Sequence, residues 1–372
     1  MYRECYLGKK RLGGRWLVLA LVFLLTMVLA TTAFAKSDKA KSFRWKMQTC
    51  STSSMLTYKL AVQFAKDIEV ATNGRMKIKV HAAGAVVPYA EVTDAVKNGV
   101  IQLGTPNASI DFGRIGPKAL LLGASGATGG LNPIEYMTWY YTAGGENFLQ
   151  KLYDAYNIKV VGIISATPAE LFAHSSKPLT ELKDFKGLKF RTMGLWGQVL
   201  TKMGASVVNI SGGEIYESMQ RGVIDAFEFC GPGINWDMGY VDVAKYVGVP
   251  GIHSPLNMEN LLVNKTAWAK LPADMKEIFL LTTKAYTLKS FMALTMDDAE
   301  KFKKFEESGK VKIFEVSPQM QKEIVKVTNG IHAKYCKEVP GYKDIYDSQR
   351  NFVKIFKNLN NKVQPKLSVY DQ

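Results

Sequence analysis

Residues 91–101, EVTDAVKNGVI, can be laid over residues 214–224, EIYESMQRGVI, without a gap. Each is a short helix closed by a glycine, Gly99 or Gly222, and followed by Val-Ile. Glycine closes a helix there because it takes the left-handed conformation with no Cβ clash. The Val-Ile then reads as the start of a buried strand. The flanking elements agree as well. In the first half FRWKM alternates, with Phe43, Trp45 and Met47 on one face. A helix with Leu56, Leu60, Phe64 and Ile68 at four-residue spacing runs to Asn73-Gly74, and MKIKV alternates again. With the EVTDAVKNG helix and the VIQLG strand the order is β-α-β-α-β. LKFR, LWGQVLTKMG, SVVNI, EIYESMQRG and VIDAF repeat that order in the second half. Twice over, this predicts parallel sheets with helical crossovers, and so an α/β chain of two lobes.

Open parallel sheets bind ligands off the carboxyl ends of their strands. That rule selects Cys50-Ser51-Thr52 and Thr105-Pro106-Asn107 in the first half, and Arg191-Thr192 and Glu228-Phe229 in the second. The two sets would face one another across a cleft. Arg191 is the strongest single candidate, because a guanidinium at a strand end can pair with a carboxylate through two hydrogen bonds. Glu228, beside Phe229 and Cys230, needs a cation, a donor or a raised pKa. Glu214 looks like its partner but opens a helix, as Glu91 does, and is read as architecture. The rest is mainly helical. Residues 267–309 form a segment too long for one lobe and are expected to span both. The first lobe is assigned residues 36–160 with part of 256–300, and the second residues 161–255 with part of 301–372.

The amino terminus bears on compartment. Arg3, Lys9, Lys10, Arg11 and Arg15 precede the apolar run WLVLALVFLLTMVLA, and Ala33 and Ala35 follow in A-x-A spacing. Residues 1–35 therefore read as a cleaved signal peptide, and the competing reading is an uncleaved anchor. With 372 residues and 47% hydrophobic composition, the remainder can bury two moderate cores. The net charge of +15 is scattered with no basic block interleaved with aromatics, which excludes nucleic acid and suits anionic ligands. Cys50, Cys230 and Cys336 lie far apart, so one bridge is possible and its pairing is left open. His81, His174, His253 and His332 show no metal-ligand spacing and read mostly as packed or surface residues. GATGG at 126–130 lacks a following Lys-Ser/Thr and reads as a turn.

The stretch LTELKDFKGLKFRTMGLWGQVLTKMGASVVNISGGEIYESMQRGVIDAFEFCGP resembles the solute-binding subunit of tripartite ATP-independent periplasmic (TRAP) transporters, DctP type. The likeness extends through WKMQT, GAVVP and DAVKNGVIQLG, and is most specific to the branch that binds 2-oxo and 2-hydroxy monocarboxylates. It implies a two-lobed periplasmic binding-protein fold with a long helix crossing both lobes, and delivery of ligand to a sodium-coupled permease. It also implies that Arg191 holds the substrate carboxylate. In that branch a cation beside the ligand is held by a Gln, by a Glu with the next carbonyl, and by a second Glu. Glu228 and the Phe229 carbonyl match the middle pair. The Gln position is Glu170, in TPAELFA, and the second Glu position is Ser254, in PGIHSP. The expected cation is Na⁺ or Ca²⁺, since the ligands are oxygens.

Asn107, Ser109, Trp196, Val87 and Pro88 are candidates for the pocket lining, with Trp196 equally readable as a core residue. The small side chains of NASIDFG hint at a ligand larger than pyruvate. One alternative has Glu170 touching the ligand directly, which would make it an amino acid or a polyol acid. Another is an exported enzyme with Glu170 and Glu228 as acid and base, although no nucleophile or cofactor motif accompanies them. The carboxyl-terminal amphipathic segment could engage a second copy, so a homodimer and a monomer both stay open.

Overall fold

The computed structural model describes residues 41–123 and 130–363, and the chain from Arg44 onward forms one compact unit. The signal-peptide reading, the tail after residue 363 and most of the GATGG turn lie outside the described residues. The first sheet begins with β1 (Phe43–Thr49), β2 (Met76–His81) and β3 (Leu103–Thr105), connected by helices α1 (Leu56–Ala71) and α2 (Val92–Lys97). It is extended by β4 (Ile158–Thr167). The second sheet takes β5 (Ala173–Ser175) and β6 (Lys189–Arg191), then α3 (Gly194–Lys202), β7 (Ser206–Val208), α4 (Ile215–Gln220), β8 (Ala226–Phe227) and β9 (Tyr246–Val249). The chain then returns to the first sheet as β10 (Asn257–Asn264).

The strand orders are β2-β1-β3-β10-β4 and, with β11 (Lys312–Glu315) at its far edge, β11-β9-β5-β8-β6-β7. β2-β1-β3 and β7-β6-β8 are the same arrangement, so the sequence repeat is a repeat of topology. In each sheet the third strand next meets an antiparallel neighbour, β10 against β3 and β5 against β8, and that neighbour meets another antiparallel strand. The helix-closing glycines behave as the pattern requires, with φ of 75° at Gly99 and 69° at Gly222.

Each sheet has its own apolar core. Tyr136, Trp139, Tyr153 and Val160 belong to the first, and Phe172, Phe185, Phe190 and Leu200 to the second. A buried side chain of this kind contributes about 1.5–3 kcal/mol. The long segment is helix α5 (Ala273–Glu307), 35 residues and so about 50 Å long, starting just after Pro272. It packs on β4 and α1 in the first lobe and on the helix Pro232–Asp237 in the second. Thr287 donates to the Ile163 carbonyl at 2.6 Å, and Asp298 accepts from the Gly233 amide at 2.7 Å.

Two boundaries differ from the sequence expectation. β4 stays in the first sheet to Thr167, well past residue 160, because it pairs with β10 throughout. Of the carboxyl-terminal helices, α6 (Pro318–Glu338) packs on the second lobe, where Tyr335 donates to Gln198 at 2.7 Å. Helix α7 (Tyr342–Val363) instead closes the first core with Tyr342 and Ile345, and Gln349 donates to the Leu121 carbonyl.

Candidate functional site

Arg191 ends β6 and is 4% exposed. Its Nη1 donates to the Glu228 carbonyl at 2.8 Å and to Glu228 Oε1 at 3.3 Å, and its Nε donates to the Ile210 carbonyl at 3.2 Å. Nη2 rests on the thioether of Met193 at 3.4 Å, a weak acceptor, and the Phe229 ring lies 5.5 Å from the guanidinium carbon. The guanidinium is thus fixed in orientation while one face keeps a strong donor without a strong acceptor.

Glu228 follows β8, and Glu170 lies in the turn between β4 and β5. The Glu170 turn is held from behind by the segment 250–254. The Glu170 amide donates to the Ser254 carbonyl at 3.0 Å, and a Cβ at Gly251 would stand 1.8 Å from the Glu170 carbonyl oxygen. Only glycine lets the two backbones approach so closely. The same segment inserts His253 between the carboxylates, with Nε2 at 3.2 Å from Glu170 Oε2 and 3.7 Å from Glu228 Oε2. Asn257 donates to Glu170 Oε1 at 3.2 Å and accepts from Asn107 at 2.5 Å, tying the turn to the first lobe.

Burial and these contacts set the charges. Burial pushes Glu170 up, to about 7, against the pull of His253. Burial would also raise Glu228, but His253 and Arg191 outweigh it and hold the carboxyl at about 2. For His253, burial disfavours the imidazolium, yet hydrogen bonding and Coulomb attraction from the two carboxylates raise it to about 9. The three titrate as one unit, in which Glu228 stays a carboxylate and His253 an imidazolium at neutral pH.

His253 is the correction to the sequence reading of the histidines. It joins Glu170 and Glu228 as a cluster of three buried groups whose ligand atoms all lie within 4.8 Å of one another. Sequence spacing could not show this, because the residues come from three separate segments. Ser254 is buried, but its hydroxyl donates to the Leu256 carbonyl at 3.1 Å, so it contributes a backbone carbonyl to the Glu170 turn. Trp196 is fully buried in the second core, with its ring 5.4 Å from that of His253, and forms the wall behind the imidazole. Asn107 spends its carbonyl oxygen on the Ser109 amide at 2.7 Å and its amide on Asn257. Val87 and Pro88 sit on a loop pinned by Gln48, which accepts from the Val86 and Val87 amides and donates to the Val87 carbonyl. Cys50, Cys230 and Cys336 are free thiols.

The strand-end rule placed Cys50, Ser51 and Thr105 at the cleft, but Glu259 and Tyr89 escaped it. Glu259 lies near the start of β10 and accepts from Ser51 at 3.1 Å and from Thr105 at 3.2 Å. Tyr89 is half-buried and directly follows Pro88 on the loop that Gln48 pins. Glu214 is architecture, as its position implied. It closes a capping box with Ser211.

Residues 47–338 match the profile of bacterial extracellular solute-binding protein family 7, DctP. A monocarboxylate 2-oxoacid-binding periplasmic protein from a Nostoc species is 31% identical over 311 residues, 84% of each chain. Among solved structures, a TRAP transporter solute-binding protein from Bordetella bronchiseptica with calcium and picolinate superposes with a TM-score of 0.82 at 24% identity, covering 87% of this chain and 95% of that one. One from Pseudoalteromonas atlantica with sodium and pyruvate does so with the same TM-score and identity, covering 87% and 97%.

Proposed function

Because the chain belongs to the DctP family of extracellular solute-binding proteins, we propose that it captures an organic monocarboxylate on Arg191 and hands it to a TRAP permease. Proteins of this family are periplasmic and bind their ligand without transforming it. No helix among the described residues is long and apolar enough to cross a membrane. The observation that carries the ligand reading is the geometry of Arg191. Its Nη1 and Nε are satisfied by protein oxygens and Nη2 meets only a thioether, so a carboxylate would complete it with a charge-assisted bond. The ligand class is a 2-oxo or 2-hydroxy acid, by analogy with the Nostoc relative. Direct contact between Glu170 and a ligand amine is the weaker reading, since both oxygens of Glu170 are already taken, by Asn257 and His253.

A cation beside the ligand would be held by Glu170, Glu228 and His253, with the Phe229 carbonyl as a further oxygen donor. The residues fit in number and in burial. The bound ion would supply a fixed positive charge toward the ligand carboxylate. One imidazole nitrogen in the set moves its preference away from Na⁺ and Ca²⁺, which take oxygen ligands, toward borderline divalent ions. A homodimer would use helix α7, where Ile355, Leu359 and Val363 are exposed at four-residue spacing. The deciding experiment is isothermal titration of residues 36–372 with pyruvate, lactate and larger 2-oxo acids. Saturable binding that is lost in Arg191→Lys supports the assignment, and unchanged binding in that variant removes it.

A further inference from the structure

The cleft holds a second carboxylate that the capture of a simple acid does not use. Glu259 belongs to the first lobe, opposite the Arg191 side, at the carboxyl ends of β1 and β3. Ser51 and Thr105 donate to it, and Ser51 is itself held by Thr57 at 2.6 Å. Both donors are neutral hydroxyls. Among the described residues Glu259 makes no ion pair, whereas Glu228 has Arg191 and Glu170 has His253.

Glu259 and Tyr89 are half-buried, and Asn257 and Glu259, two residues apart on β10, project to the same face of that strand. Asn257 donates to Glu170 Oε1, and Glu170 is linked through His253 and Glu228 to Arg191, so Glu259 and Arg191 border one polar volume. Counting formal charges around that volume, Arg191 and His253 balance Glu228 and Glu170, and Glu259 is left over. A ligand that is only an anion would add a second uncompensated negative charge to an enclosed site. A zwitterion would not.

We infer that Glu259 is a second recognition point of the cleft, taking an ammonium group at the end of the ligand away from the carboxylate held by Arg191. The ligand class is then an amino-carboxylate, with or without a 2-oxo group beside the carboxylate. A buried carboxylate lacking a cation is expensive to keep, and an ammonium provides the missing charge and a hydrogen bond in one group. The neutral donors leave lone pairs on Glu259 free, while Ser51 and Thr105 fix its orientation.

The inference rests on the assignment of Arg191 as the carboxylate holder, and the test separates the two. Titration calorimetry would compare alanine, β-alanine, γ-aminobutyrate and δ-aminovalerate with propionate, butyrate and valerate, and γ-hydroxybutyrate would stand for a neutral donor. The expected result is that at least one amino acid binds about tenfold or more tighter than its plain counterpart. Glu259→Gln should erase that preference by weakening the amino acids and tightening the plain acids, without lowering the melting temperature. Equal binding of amino and plain acids by the wild type overturns the inference, as does a preference that survives in Glu259→Gln. So does a hydroxyl that serves as well as the ammonium. If Arg191→Lys leaves every affinity unchanged, or no carboxylate in the panel binds at millimolar concentration, the Arg191 reading falls and takes this one with it.

Discussion

Arg191 holds Glu228 twice through a single nitrogen, Nη1, once at the backbone carbonyl and once at the side chain. The guanidinium therefore serves the free protein as well as the ligand. Arg191→Ala would remove the carboxylate contact and leave Glu228 with His253 alone, and breaking a buried pair in this way costs about 3–5 kcal/mol. Arg191→Lys keeps the charge but lacks the planar fork needed to hold Glu228 and a ligand together. The expected outcome is a nearly native melting temperature with at least about tenfold weaker ligand binding. The double variant Arg191→Ala with Glu228→Gln should recover part of the stability lost in Arg191→Ala, read by urea unfolding, without recovering binding.

Gly251 sets the position of Glu170. A Cβ there would lie 1.8 Å from the Glu170 carbonyl oxygen, so Gly251→Ala must push the Glu170 turn out of place. Nothing lies within 4 Å of a Cβ built on Gly213, which makes Gly213→Ala the control. Gly251→Ala should destabilise by about 1–3 kcal/mol and weaken ligand binding, whereas Gly213→Ala should do neither. Melting curves with and without ligand would show both effects.

Glu170, Glu228 and His253 make a donor set of two carboxylates and one imidazole. Mn²⁺ or Zn²⁺ should therefore raise the melting temperature more than Na⁺ or Ca²⁺ at equal concentration, and His253→Ala should remove the difference. At a hundredfold excess over its Kd, an ion bound only by the folded protein adds about 2.7 kcal/mol. If none of the four ions shifts the melting temperature, the imidazolium itself is the positive charge beside the ligand.

How much of this was legible beforehand follows from where each residue lies along the chain. The repeat was legible because helix periodicity, a closing glycine and a buried strand start are local patterns, and Gly99 and Gly222 carry them plainly. Arg191 and Glu228 could be selected because each follows a parallel strand. Glu259 could not, since it stands near the start of an antiparallel strand that returns to the first sheet after the chain has built most of the second. His253 was misjudged for a related reason. Its partners are 83 and 25 positions away in sequence, and only the packing of the Gly251 segment against the Glu170 turn brings them together. The lobe boundary was set short because nothing in ATPAE marks where β4 leaves its sheet.

His174 sits on β5 inside an aromatic cage, with the Phe227 ring at 4.8 Å and the Tyr240 and Phe305 rings at 5.9 Å. Neither of its ring nitrogens has a hydrogen-bond partner among the described residues. Burial alone disfavours the imidazolium and lowers its pKa from 6.5 to about 3. Between those values the unfolded chain binds a proton that the folded protein does not. Stability therefore falls as pH drops below about 6.5, by about 1.4 kcal/mol per pH unit from this group, and rises again toward neutrality. Over the step from pH 7 to pH 5 that is about 2 kcal/mol. His174→Phe keeps the aromatic packing and removes the titration. The variant should lose about 2 kcal/mol less than the wild type over the same step, as measured by urea midpoints and slopes at the two pH values. Equal losses in the two proteins would mean that His174 takes up its proton while folded, and that the cage opens to admit it.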